Sequence, residues 1–211
     1  MAALVAQHLE ILTSAGPGWI SLERPAKATA VLALTHGAGG GVGSADLRAV
    51  RDAATAQGVA VALITQPYRV AGKATPPRPT IQEPPWIELV EALRRRRGLG
   101  SLPLIIGGRS NGARLACRTA NVLGASAVVA LAYPLHPPGK PEISRLDELE
   151  EPDVPVLVVQ GDRDSFGMPP AGSGRRIVVI PGADHALKKG VATTAEAVIN
   201  FVMSGRIGGG S

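Results

Sequence analysis

The chain has 211 residues, of which 45% are hydrophobic and 18% are charged, and its formal net charge is +5. This length and balance predict one folded domain with a sizeable core, and they exclude a disordered chain. Aromatic residues are few, two each of Phe, Trp and Tyr against 26 Gly, so we expect a core of aliphatic side chains, as in buried parallel strands.

The single cysteine, Cys117, excludes an internal disulfide framework and a multi-cysteine metal site, and we expect it to be a buried apolar residue. The N-terminal stretch lacks the basic and apolar regions of a secretory signal, and no apolar run has the length of a membrane span. We therefore expect a cytoplasmic protein with no membrane partner. The arginine run 94–97 could bind nucleic acid or an acidic partner. It follows a helix-like stretch, where cations suit the negative end of the dipole, and no aromatic residues interleave with it, so we expect no nucleic-acid partner.

The first elements are predicted to form an antiparallel hairpin. Residues 7–13 and 18–23 alternate in part on either side of a glycine and proline turn, although a short helix over 1–12 is the alternative. The apolar run 29–35 then predicts a buried strand. It ends in a glycine-rich loop that begins at His36.

A helix and a strand are predicted after the glycine-rich loop. Ser44 is a typical N-cap for a helix that reaches about Gln57, and the next buried strand covers 59–65. A proline-rich loop over 66–85 follows, and such long loops are often functional or mobile. Residues 86–97 have the apolar spacing of a helix.

The stretch that follows predicts a strand, a sharp turn and a helix. The apolar run 102–106 leads into Gly-Gly-Arg-Ser-Asn-Gly over 107–112, and 113–123 continues as a helix-like segment. This is the G-x-S-x-G spacing of a nucleophile elbow, which projects Ser110 from the top of a sheet at costly backbone angles. The two motif glycines that flank the serine are expected where a β-carbon would collide with a neighbouring element.

The rest of the chain continues the alternation of strands and helices. Strands are predicted over 126–132, 154–160 and 176–180, with a short helix over 144–150 and a last helix over about 190–203.

This alternation indicates one α/β domain over 1–204, followed by a disordered tail over 205–211. We expect a doubly wound, mostly parallel sheet with helices on both faces, an N-terminal antiparallel hairpin and no large cap domain. Ligands of such sheets bind beyond the carboxyl ends of the strands. The glycine-rich loop, the proline-rich loop, the elbow, Asp164 and His185 all follow predicted strands, so we expect them at that edge.

A serine becomes a nucleophile when a base removes its proton and an acid orients the base. Ser110, Asp164 and His185 occur in the order serine, acid, histidine that suits an elbow of this type. His136 is the competing base, but it comes before any suitable acid. Asp162 is the competing acid, and Asp164 is preferred because its place in the turn suits a carboxylate that points back toward the histidine.

Other polar residues in these loops are interpreted without a catalytic role. His8 precedes the core sheet and is expected on the surface. His36 is expected to hydrogen-bond to the backbone of the glycine-rich loop. Asp184 adjoins His185 in sequence and is expected to brace its own loop.

Acyl transfer also needs two N–H donors for the oxyanion. One is the N–H of the residue after the nucleophile, Asn111, and the other comes from the glycine-rich loop, where we choose Ala38.

The glycine-rich loop could instead cradle a phosphate. It lacks the lysine of a P-loop, and Val42 stands where a dinucleotide fingerprint needs a glycine. No recognisable zinc set is present. We therefore expect no cofactor and no metal.

With these motifs the sequence resembles the α/β-hydrolase superfamily, and more narrowly its small, cap-less, dienelactone-hydrolase-like branch. The matching stretches are 35–40, 107–114, 160–164 and 182–185. The resemblance implies that Ser110 is the nucleophile, His185 the base and Asp164 its orienting acid. Dienelactone hydrolases carry a cysteine where this chain has Ser110. Eukaryotic proteins similar to this branch include a subunit of a chromatin-modifying acetyltransferase complex, which implies that the fold also serves as a scaffold.

We therefore expect a serine hydrolase that cleaves a small ester, thioester or activated amide of a small-molecule acyl substrate through an acyl-enzyme. The alternatives are a non-catalytic binding or scaffold module, and an acyltransferase or peptidase with the same triad. Arg69 or Arg109 could attract a substrate carboxylate, but both are interpreted as solvent-facing. The candidate apolar substrate contacts are Tyr68, Trp86, Tyr133 and Phe166.

Overall fold

One eight-stranded sheet forms the centre of the protein in a computed structural model that describes residues 4–204. The strands are β1 (Leu4–Thr13), β2 (Gly16–Pro25), β3 (Ala30–Thr35), β4 (Val59–Thr65), β5 (Leu104–Arg109), β6 (Ala127–Leu131), β7 (Val156–Gly161) and β8 (Arg175–Ile180). The helices are α1 (Ala45–Ala56), α2 (Pro67–Val70), α3 (Pro79–Arg94), α4 (Asn111–Thr119), α5 (Leu146–Glu150) and α6 (Val191–Ser204).

The strand order is β1-β2-β4-β3-β5-β6-β7-β8. Neighbours from β4 to β8 pair in parallel, whereas β1 pairs with β2 and β2 with β4 in antiparallel fashion. All residues of β3 are buried because helices cover both faces of the sheet. Helices α3, α4 and α5 pack on one face, and α1 and α6 pack on the other. For the described residues, 4–204, the doubly wound, mostly parallel fold with no large cap is confirmed.

The N-terminal hairpin is confirmed for the described residues. Thr13 pairs with Gly16 across a two-residue turn, and Gly16 takes the positive φ of 100° that this turn requires. The alternative helix over 1–12 is therefore wrong from Leu4 onward. The predicted disordered tail, 205–211, lies outside the described residues.

The predicted loop over 66–85 is corrected, since it contains α2 and the first turns of α3. Pro79 begins α3, where a missing N–H costs nothing, but Pro84 and Pro85 lie inside the helix and remove two backbone hydrogen bonds. The carbonyls that lose their donors lie one turn earlier on exposed residues, where water can reach them. The free energy gained by burying the apolar face that begins at Trp86 outweighs the cost of these two prolines, so the helix forms.

A buried polar network joins the ends of β3 and β4. The N–H of Gln66 donates to His36 Nε2 over 3.1 Å, so the ring proton lies on Nδ1 and donates to the Gly37 carbonyl over 2.9 Å. The Gln66 amide donates to the Thr35 hydroxyl, and the Gln82 amide donates to Gln66 in turn. Both ring nitrogens of neutral His36 therefore have hydrogen-bond partners. The hydrogen bond from His36 to the backbone of the glycine-rich loop is as expected. Burial lowers the pKa of His36 from 6.5 to about 4, which the neighbouring Arg69 charge reinforces.

This shift predicts a specific loss of stability in acid. Because the pKa of His36 is about 4 in the folded protein and 6.5 when unfolded, the unfolded chain binds a proton that the folded chain rejects. The contribution is fully present above about pH 6.5 and is lost as the pH falls to about 4, for a total of about 3 kcal/mol. Urea unfolding at both ends of this range should show wild type losing about 3 kcal/mol more than His36→Gln, which cannot titrate.

His8→Gln is the matched control, because His8 is exposed on β1. This variant should keep the pH dependence of wild type. Equal losses in wild type and His36→Gln would contradict the shift.

Candidate active site

Ser110 occupies a strained turn between β5 and α4. Its φ of 53° and ψ of −116° are costly for a residue with a side chain. The turn needs the glycines around it, since a β-carbon on Gly108 would lie 2.7 Å from the Thr35 carbonyl oxygen, and one on Gly112 would lie 2.7 Å from the His36 carbonyl oxygen. The glycine requirement expected from the motif is therefore met.

Three loops at the carboxyl edge of the sheet bring Ser110, Asp164 and His185 together. The His185 ring spans the other two, with Nε2 2.9 Å from Ser110 Oγ and Nδ1 2.9 Å from Asp164 Oδ2. A carboxylate only accepts, so Nδ1 carries the proton and Nε2 is free to accept the serine hydroxyl. The Asp164 side chain is fully buried, whereas that of His185 is 22% exposed.

Gln160, which motif reasoning did not select, orients the Asp164 carboxylate. Its amide donates to Asp164 Oδ2 over 2.8 Å and also contacts the carbonyls of Tyr133 and Gly167. The N–H of Phe166 donates to Asp164 Oδ1 over 2.9 Å. The sequence signal for this role was a glutamine in an apolar strand, just before the turn that carries Asp164. A fully buried amide needs polar partners, and the turn supplies them.

The competing residues are turned to other partners. Asp162 Oδ1 accepts the N–H of Gly182 over 2.6 Å, and Asp184 accepts a backbone N–H of its own loop, as expected. His136 Nδ1 lies 2.9 Å from the carbonyl oxygen of Pro137. The structure thus places Asp164, and neither of the other acids, against His185.

The predicted oxyanion donors lie on the two segments that flank the serine. Asn111 is the first residue of α4, and a β-carbon on Gly37 would lie 3.3 Å from Ser110 Cβ, so the glycine-rich loop passes directly beside Ser110. The Tyr68 hydroxyl donates to the carbonyl of Ala38 over 2.9 Å. The Gly37 carbonyl is held by His36 Nδ1. Because the Gly37–Ala38 peptide is planar, this hydrogen bond also sets the direction of the Ala38 N–H. The donor roles themselves stay predictions.

Two of the four candidate substrate contacts are corrected. Trp86 and Tyr133 are completely buried, so neither offers surface to a ligand. The Trp86 indole donates to the Thr119 hydroxyl over 3.0 Å, and the Tyr133 hydroxyl donates to the Arg145 carbonyl over 2.8 Å. These internal partners satisfy the polar atoms of both rings, which allows the core to take them.

The other two aromatic residues lie at the site. The Phe166 ring stacks on that of His185 with centroids 4.0 Å apart. Tyr68 is 7% exposed, and burial raises its pKa to about 12, so it stays protonated and can hold the Ala38 carbonyl. Contact of Tyr68 and Phe166 with substrate stays a prediction.

Both arginines interpreted as solvent-facing are half-buried. The side chain of Arg109 is 18% exposed, and its guanidinium lies 3.0 Å from Asp46 and donates to the His185 carbonyl. Arg69 donates to the carbonyl of Lys73. Each guanidinium is therefore held by the protein.

Within residues 4–204, no cluster of three or more His, Cys, Asp or Glu side chains has a geometry that could hold a metal ion. Cys117 is buried, as expected, and burial raises the pKa of its thiol to about 12. In the same described part of the chain, no helix combines the length and the apolar character that crossing a membrane requires.

Comparison with solved structures finds the same fold at low sequence identity. A serine hydrolase without a lid from Xanthomonas campestris is 17% identical, with 94% of each chain covered and a TM-score of 0.74. Dienelactone hydrolase from Anabaena variabilis is 18% identical, with 95% of this chain and 98% of that chain covered and a TM-score of 0.75. Est1E from Butyrivibrio proteoclasticus with bound ferulic acid is 16% identical, with 94% and 99% covered and a TM-score of 0.77.

Comparison with curated protein sequences finds no match. A family model described as an alpha/beta hydrolase domain matches residues 28–204, which run from just before β3 to the end of α6. The match confirms the resemblance to the α/β-hydrolase superfamily, and the hydrolase without a lid and the dienelactone hydrolase have the same fold as this chain. The chain therefore belongs to the alpha/beta hydrolase domain family.

Proposed function

We propose that the protein is a serine hydrolase that cleaves a small ester, thioester or activated amide through an acyl-enzyme. The observation that carries this proposal is the continuous hydrogen-bonded chain from Asp164 through His185 to Ser110. A binding module would have no need for a strained serine whose neighbour is a base oriented by a fully buried acid.

In the proposed mechanism, Ser110 Oγ attacks the acyl carbon while His185 Nε2 takes the hydroxyl proton. Asp164 keeps the ring proton on Nδ1 and offsets the charge of the imidazolium that forms. His185 then gives its proton to the leaving group, and the acyl group stays on the serine. Water attacks the acyl-enzyme with His185 as base, which releases the acid and restores the serine hydroxyl.

The N–H groups of Asn111 and Ala38 would stabilise the oxyanion of each tetrahedral intermediate. Asn111 lies at the positive end of α4, and the Ala38 peptide is held by hydrogen bonds to both adjoining carbonyls. Donors that are fixed before substrate binds need no reorganisation during the reaction, and one such donor is typically worth ~10²–10³ in rate.

Ester cleavage is the preferred reaction within this class. Est1E binds ferulic acid, and other structural neighbours carry esterase names. The part of the chain that the structure describes includes no large cap domain, which favours small or end-on substrates. The Phe166 ring beside His185 offers them an apolar surface. We therefore propose p-nitrophenyl acetate as the first assay substrate.

Replacing Ser110 with alanine should abolish turnover and covalent labelling. The loss in hydrolysis should be ~10⁶, because no other group can form the acyl-enzyme. Intact mass after treatment with a fluorophosphonate probe should show one adduct on wild type and none on Ser110→Ala. Ser173→Ala, at an exposed serine on the opposite edge of the sheet, should label as wild type does. An adduct on folded Ser110→Ala would overturn the nucleophile assignment.

The two neighbouring acids should respond very differently to amidation. Asp164→Asn replaces an acceptor by a donor against His185 Nδ1 and stabilises the wrong tautomer, so kcat should fall by ~10⁴. Asp162→Asn keeps an oxygen that can accept the Gly182 N–H, so kcat should stay within about threefold of wild type. Steady-state hydrolysis of p-nitrophenyl acetate measures both, and the reverse ranking would make Asp162 the acid.

A further inference from the structure

Arg109 ends β5, directly before Ser110, and its side chain turns toward the histidine loop. Its Nη2 donates to the main-chain carbonyl of His185 over 2.6 Å. This contact is separate from the two ring contacts of His185, because it acts on the backbone. Since Arg109 and Ser110 are consecutive residues, the contact ties the backbone of the base to the strand end that carries the nucleophile.

The same guanidinium lies against the glycine-rich loop. A β-carbon on Gly37 would lie 3.7 Å from Arg109 Nη1, so the loop that carries Ala38 passes beside the charge. One side chain therefore bonds to the histidine loop and lies beside the glycine-rich loop, the two segments that must keep a set distance from Ser110.

Asp46 supplies the opposite charge. It lies in the first turn of α1, is 2% exposed, and has its Oδ2 3.0 Å from Arg109 Nε. The Nε–H is not aligned with this oxygen, and neither atom has a hydrogen-bond partner, so the contact is electrostatic. Asp46 Oδ1 accepts the N–H of Leu47 over 2.9 Å, which holds the carboxylate on the helix.

This charge balance matters for a histidine that becomes cationic during turnover. An isolated guanidinium beside the His185 backbone would repel the imidazolium, and the Asp46 carboxylate offsets that repulsion. The pair can thus restrain the loop without opposing proton transfer.

We propose that Arg109, charge-balanced by Asp46, is a positioning residue that holds the His185 backbone at a fixed distance from Ser110. This inference rests on the proposed serine hydrolase function. Loss of the restraint leaves the ring contacts to set the geometry alone, and a displacement of about 1 Å at a catalytic group can cost ~10² in rate.

The test compares Arg109→Met, Arg109→Lys and Asp46→Asn with wild type, at a temperature where thermal melts show all four folded. The readouts are the rate of fluorophosphonate labelling of Ser110 and the kcat and KM for p-nitrophenyl acetate. Arg109→Met should label ~10²-fold more slowly, with kcat reduced and KM within about threefold. Arg109→Lys keeps the positive charge, but one ammonium group cannot contact both Asp46 and the His185 carbonyl. We therefore expect the labelling rate of this variant to fall about tenfold.

Two further measurements separate positioning from a general loss of stability. A further variant, Arg109→Ala, should label as slowly as Arg109→Met and leaves room for a free guanidinium ion. Guanidinium chloride at a non-denaturing concentration should speed its labelling at least about tenfold over sodium chloride at equal ionic strength. Asp46→Asn should slow labelling in the wild-type background and have no further effect in Arg109→Met, because Asp46 acts through Arg109.

Arg118→Met is the matched control. Arg118 lies on α4, its side chain is 9% exposed, and it pairs with Glu83 and Glu148. Its loss should lower the melting temperature while the labelling rate of Ser110 stays at the wild-type value.

The outcomes distinguish this inference from the function on which it rests. A folded wild type that does not label would overturn the proposed function itself. Labelling of wild type and Arg109→Met at equal rates would overturn the positioning role and leave the hydrolase assignment in place. The positioning role would also be overturned if guanidinium did not restore the labelling of Arg109→Ala and the losses from Asp46→Asn and Arg109→Met were additive in the double variant. If Arg109→Met fails to fold, Arg109→Lys and Asp46→Asn decide by the same criteria.

Discussion

The close approach of backbones around Ser110 is the constraint on which the rest of the site depends. The serine turn can stand at the end of β5 because its glycines let the Thr35 and His36 carbonyls come within a distance that no β-carbon would permit. That contact brings the glycine-rich loop beside Ser110 and sets where the proposed oxyanion donors can lie. The strain at Ser110 is sustained by a sheet that is buried on both faces.

The fold was predictable because its signals are local and repeated. Apolar runs with a glycine at or just after their ends mark the carboxyl ends of β3, β5 and β7, and parallel pairing then brings those ends to one edge. The prolines before Trp86 predicted a loop, and this prediction was wrong because the energy of burying one helical face exceeds the cost of two lost hydrogen bonds. Local sequence propensity does not include the energy of burying a helical face, so it could not predict this helix.

The site divides in the same way. Ser110, Asp164 and His185 follow a spacing that motifs record, and their mutual contacts need only the sheet order. Arg109 acts through a contact with the carbonyl of His185, which lies far from it in sequence, and nothing in its local pattern reveals that partner. Gln160 lies close to Asp164 in sequence, and a glutamine in an apolar strand was an available signal for it. Trp86 and Tyr133 were predicted to contact substrate, and this prediction was wrong because tertiary packing gives the indole and the phenol internal acceptors.

The position of β8 affects when His185 comes together with Ser110 during folding and when the two separate during unfolding. In the described sheet β8 is an edge strand beside β7, and His185 follows it, whereas Ser110 follows the central strand β5. The turn at Ser110 can therefore form with the middle of the sheet, but His185 reaches its place when β8 docks. Edge elements open at lower free energy than central ones. Fraying of β8 would therefore disconnect the histidine while the core is still folded, so that inactivation precedes global unfolding on heating.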